Sequence, residues 1–131
     1  MSEMQNKYRS SLSMAKNLGS AGKGSDHWMK QRITAIMMVI LTAWMVCFIA
    51  KVSHATTIAS FIDILQAPYN SAVLMIFIPT ALYHSSIGMQ VIFEDYIKCR
   101  VMRVALVIMI KILVIVTAVS FAVSLIYIMS L

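Results

Sequence analysis

The chain has 131 residues, of which 60% are hydrophobic and only 12% charged, and its formal net charge is +6. That balance excludes an ordinary soluble domain and points to a membrane protein. The basic residues form no continuous soluble surface, which argues against a nucleic-acid partner.

Residues 1–31 read as a polar N-terminal tail followed by an interfacial segment. The tail is rich in Ser and Lys, with Gly19, Gly22 and Gly24 close together. No apolar stretch near Met1 has the form of a cleaved secretory signal. A basic, Ser-containing tail is also compatible with an organelle transit peptide, and that alternative stays open. Ser25 or Asp26 is a suitable N-cap for the helix that follows, because either side-chain oxygen can accept a free backbone N–H. Trp28 falls at headgroup level, where amphipathic rings are favoured.

Residues 32–131 then read as an all-α membrane anchor. A helix needs about 20 apolar residues to cross the hydrocarbon core, and the apolar runs at about 33–52, 68–93 and 104–128 each meet that length. Three spans make a thin bundle, and little chain remains outside them for a soluble domain. A partner subunit is therefore expected.

The charges set an expected topology. Lys7, Arg9, Lys16, Lys23, Lys30 and Arg32 precede the first span, and Lys98, Arg100 and Arg103 lie between the second and third. The first loop carries only Lys51 and Asp63. By the positive-inside rule the N-terminus is cytoplasmic and the C-terminus periplasmic. In the first loop, Thr56 to Leu65 is a short amphipathic run expected at the outer surface, and His54 is an ordinary loop histidine.

Cys47 and Cys99 fall at different depths, and their spacing matches no metal cluster, so both are expected to be free thiols. Arg32 stands at the start of the first span. It is either a topology anchor that snorkels to the interface or a partner for a buried anion such as a carboxylate or propionate. His27 reads as an interfacial polar residue rather than a ligand. Lys111, inside the third span, has a stem long enough to reach the interface.

The stretch from Tyr83 to Tyr96 carries the chemistry. His84 lies deep in an apolar run, downstream of Pro79, whose missing N–H is expected to kink the helix. At about 100° and 1.5 Å per residue, His84, Gly88 and Asp95 share one face, with Asp95 about 16 Å beyond His84. Gly88 leaves room for another helix or a bulky group to come close. Polar residues inside a membrane usually face protein, a cofactor or water. His84 is thus either hydrogen-bonded to a neighbouring helix or an axial haem ligand. No second histidine lies at its depth, so a second imidazole ligand would come from another subunit. Glu94, Asp95 and Tyr96 are either a solvated helix end or a quinone site. In the second case the Tyr96 phenol donates to a quinone carbonyl and the Asp95 carboxylate relays protons.

Two motifs carry a family resemblance: Gly24-Ser25-Asp26-His27-Trp28-Met29-Lys30-Gln31-Arg32-Ile33-Thr34-Ala35, and His84-x3-Gly88 with Asp95-Tyr96 eleven residues beyond the histidine. With three spans and the same charge pattern, the chain resembles the small hydrophobic membrane anchors of bacterial succinate dehydrogenase, respiratory complex II. Its Gln-Arg-x-Thr-Ala form is closest to alphaproteobacterial members. The resemblance spans about residues 19–131. It implies a multi-pass inner-membrane component of an enzyme complex, which does not itself oxidise succinate. It implies a second three-helix anchor of the cytochrome b556 type, an iron–sulfur subunit and a flavoprotein subunit as partners. It implies one haem b shared between the anchors, with His84 as an axial ligand of the haem iron and Arg32 near the propionates. It also implies that Tyr96 and Asp95 bind ubiquinone. Two alternatives remain: a fumarate reductase-type anchor, and a non-redox membrane adaptor or small transporter subunit.

Overall fold

A computed structural model describes residues 24–130 of the chain. The expectations for residues 1–23, a polar tail or a transit peptide, lie outside the described residues. Four helices follow in order: α1 (Gly24–Ser53), α2 (Ile58–Gln66), α3 (Pro68–Tyr96) and α4 (Arg100–Met129). Of these, α1, α3 and α4 are long and apolar enough to cross a membrane. At about 1.5 Å per residue each reaches about 45 Å, more than the ~30 Å hydrocarbon core, so their polar ends extend past the apolar runs. This is why the helices outrun the expected spans. Ser25 and Asp26 are already helical, with Asp26 in the first turn of α1, so neither is the N-cap.

The short connections make neighbouring long helices antiparallel. The start of α1, the end of α3 and the start of α4 therefore share one end of the bundle, which is the end rich in Lys and Arg. The amphipathic run of the first loop forms α2 at the other end. Thr57 caps it with extended backbone (φ −132°, ψ 157°). The Ser60 N–H donates to Thr57 Oγ1 at 3.2 Å, and the Thr57 N–H donates to Ser60 Oγ at 3.2 Å. Two helix-start donors are satisfied reciprocally by this capping box. Pro68 then opens α3, where its fixed φ suits the first turn and its missing N–H costs nothing. Helix α3 continues through Pro79 without a break.

The core sits beside α2. Phe48, Leu74 and Leu125 are buried together, with Trp44, Ile64 and Phe121 packed against them. Trp44 stacks on Phe48 with ring centroids 5.1 Å apart and meets Tyr69 edge-on. The amide of Gln66 donates to the Ile128 carbonyl at 2.9 Å, tying α2 to the last turn of α4. Helix α3 is central: it packs closely on both α1 and α4, whereas among the described residues no Cα of α1 comes within 8 Å of a Cα of α4. Most of the large apolar side chains of α4 face outward, and only Leu125 is buried. That surface needs lipid or another subunit around it.

Candidate functional site in the membrane-spanning bundle

Near the basic end of the bundle α1 and α3 are held together by a polar pair. Thr34 Oγ1 lies 2.8 Å from His84 Nδ1, joining positions fifty residues apart in sequence. Thr34 is buried at 9% exposure, and His84 is half-buried. Thr34 Oγ1 also lies 2.8 Å from the Lys30 carbonyl and 3.2 Å from the Gln31 carbonyl. A hydroxyl has one proton, and a backbone carbonyl can only accept. The Thr34 proton therefore goes to its own helix, and Oγ1 accepts from His84 Nδ1–H. This assigns the Nδ1-protonated tautomer to His84 and leaves the Nε2 lone pair for another group. Nε2 has no hydrogen-bond partner among the described residues.

One turn along α3, Gly88 faces Gln31 of α1. A β-carbon at Gly88 would meet Gln31 Nε2 at 3.8 Å, an ordinary contact. The close approach anticipated at this glycine is to Gln31, and it leaves room for a methyl group.

The other candidate residues are not gathered around His84 within this chain. Arg32 precedes Thr34 by two positions, so it points about 200° away around α1. Its guanidinium lies over the Trp28 ring, 4.9 Å from the centroid, a cation–π contact. Asp95 and Tyr96 end α3 on the outside of the bundle, with Tyr96 81% exposed. Gln90 Nε2 donates to Glu94 Oε1 at 2.7 Å, so Glu94 is engaged by its own helix. Cys47 and Cys99 are both free thiols, as expected. Among the described residues no group of three His, Cys, Asp or Glu side chains is placed to hold a metal ion. A single histidine with its Nε2 unengaged can supply one bond to a metal, with the remaining ligands coming from elsewhere.

Thr34 received no role from sequence reasoning, although it lies in the Gln31-Arg32-Ile33-Thr34-Ala35 motif. A hydroxyl one helical turn past Lys30, at the start of an apolar run, is the signal the sequence carries, but it does not say which residue of another helix it meets.

The fold and this site define a multi-pass helical membrane protein with a half-buried histidine oriented inside the bundle. The chain belongs to the succinate dehydrogenase/fumarate reductase transmembrane subunit family, which it matches over residues 6–126. It is 41% identical over 120 residues to the succinate dehydrogenase hydrophobic membrane anchor subunit of Rickettsia bellii, covering 92% of this chain and 95% of the relative. The protein of the same name from Rickettsia conorii is 35% identical over the same shares. That of Coxiella burnetii is 31% identical over 64% of this chain and 72% of its own length. No solved structure matches the chain at a significant level.

Proposed function

We infer that the chain is the membrane anchor of a succinate:quinone oxidoreductase in the bacterial inner membrane. Family membership and the anchor names of its relatives support this. Its basic end faces the cytoplasm and its C-terminus the periplasm, in line with the charge distribution. A second three-helix anchor, of the cytochrome b556 type, packs on the apolar outer faces of the bundle, and the iron–sulfur and flavoprotein subunits sit on the basic end.

The Thr34–His84 hydrogen bond is the observation that supports a haem role most directly. An imidazole whose Nδ1–H is held by an acceptor has a fixed ring plane and a basic Nε2, which is the usual arrangement of a ligating histidine. The residues present therefore fit a haem b shared with the partner anchor. His84 would hold the iron through Nε2 and Thr34 would orient the ring, whereas Arg32 would reach a propionate only by leaving the Trp28 ring. When bound, haem supplies reversible one-electron carriage.

Tyr96 and Asp95 act on ubiquinone at the end of α3. The Tyr96 phenol donates a hydrogen bond to a quinone carbonyl, and Asp95 passes protons to the reduced oxygens. Two electrons from the iron–sulfur subunit and two protons complete the quinol. Succinate oxidation itself belongs to the flavoprotein subunit, so this chain is a non-catalytic part of the enzyme. The relatives' names favour succinate dehydrogenase over a fumarate reductase anchor.

The test is a reduced-minus-oxidised optical spectrum of the complex isolated from its native membrane through a tag on this chain. A b-type haem spectrum with a co-purifying flavoprotein is expected. The same partners without haem would withdraw the ligand role of His84. Neither haem nor flavoprotein would overturn the reading and turn attention to an adaptor or transporter role.

A further inference from the structure

On a different side of α3 from His84, the three long helices surround a cavity of about 390 Å³. Lys30 of α1 and Lys111 of α4 both line it, and among the described residues no carboxylate does. Lys111 lies eleven positions into α4, about 16 Å along the helix axis from Arg100. An ammonium at that depth is costly without an anion beside it. Its flexible stem directs the charge toward the basic end, where Lys30 stands. His27 adds a further observation: it lines the same cavity, and its Nε2 is buried with no hydrogen-bond partner among the described residues. A buried polar atom left unpaired is a standing cost that a ligand atom removes.

The remainder of the wall is apolar. Val114 and Ile115 continue it along α4 below Lys111, and Ile87 closes it on α3. Among the described residues no Cα of α1 comes within 8 Å of a Cα of α4, so the gap between these two backbones, where the cavity lies, is bordered by side chains alone. Two cations and an unpaired histidine at one end, with an apolar slot beyond them, match an anionic head attached to a hydrocarbon tail. A free inorganic anion would make no use of the slot.

We propose that this cavity binds an anionic phospholipid, its phosphate held between Lys30 and Lys111 with His27 Nε2 as a donor, and one acyl chain leaving between α1 and α4. The proposal rests on the membrane placement of the helices and not on the haem or quinone roles.

The test uses the whole complex in mild detergent, washed and analysed by native mass spectrometry and by phospholipid content after extraction. Wild-type complex is expected to retain the lipid, and so is a Lys98→Gln control, whose lysine is exposed and outside the cavity. The Lys30→Gln/Lys111→Gln double variant is expected to lose it roughly tenfold or more, because two charge-assisted contacts are removed. Equal retention by the double variant overturns the proposal. If that variant does not assemble, delipidated wild-type complex is melted with added vesicles. A rise in Tm with phosphatidylglycerol and not with phosphatidylcholine supports the site. No rise, an equal rise with both lipids, or the same rise with inorganic phosphate alone overturns it.

Discussion

Thr34 and His84 are fifty residues apart in sequence and 2.8 Å apart in space, and the single proton of the threonine is committed to its own helix. This relationship decides the chemistry of the imidazole: Nδ1 donates and Nε2 is available. Thr34→Val keeps the side-chain shape and removes the acceptor. The part-buried Nδ1–H is then unpaired, at a cost of about 1 kcal/mol. On the proposed haem role, the imidazole also becomes a less basic ligand, so the haem midpoint potential is expected to rise and haem retention to fall by about 10–100-fold. Redox titration of the purified complex checks the potential, and haem per flavin checks retention. An unchanged value of both would mean that Thr34 only packs.

His84→Leu removes the Nε2 altogether. Haem content per flavin is expected to fall sharply, or the ligand field to change so that the low-spin electron paramagnetic resonance signal shifts. The complex itself should still form, because the packed core around Phe48, Leu74 and Leu125 lies at the opposite end of the bundle. An unaltered haem spectrum in an intact complex would remove His84 as the ligand.

Tyr96→Phe removes one hydroxyl from a side chain that is 81% exposed in this chain, so no loss of stability is expected. Quinone reduction should fall by about 10²-fold or more if the phenol donates to the carbonyl during the reaction. Succinate oxidation measured with an artificial acceptor that bypasses the quinone should be intact. Equal loss of the two activities would assign the defect to assembly and not to the quinone site.

Much of the architecture was legible because hydropathy length encodes it. Three runs gave three spans, and the amphipathic loop segment became α2, shifted by about two residues at its start because Thr57 is the cap. The rotation of the helices was not legible. A helix that is apolar almost all round carries no face to orient it, so nothing in the pattern of α1 says that Thr34 turns toward α3 while Arg32 turns away. The cavity was hidden for a related reason. Lys30, His27 and Lys111 read as separate interfacial groups, and only the packing of α1 and α4 on α3 makes them neighbours of one space. Gly88 was legible as a point of approach, but its neighbour Gln31 was not.

Gly88 tests how tightly α1 and α3 are joined below that polar pair. Its missing side chain would reach only Gln31 Nε2, at 3.8 Å, so Gly88→Ala fits without moving either helix. Alanine is also the better helix former by about 1 kcal/mol in soluble helices, and the variant is expected to melt at or slightly above the wild-type temperature with its haem spectrum unchanged. Gly88→Leu adds volume that the 3.8 Å gap does not hold. It must displace Gln31 and spread α1 from α3, at a cost of about 1–3 kcal/mol for overpacking. Because Gln31 is one turn from Thr34, spreading there lengthens the Thr34–His84 contact. The leucine variant is therefore expected to reproduce the raised midpoint potential of Thr34→Val in addition to its lower Tm. A leucine variant that melts lower while its potential stays at the wild-type value would show that the threonine contact does not depend on helix spacing at Gly88.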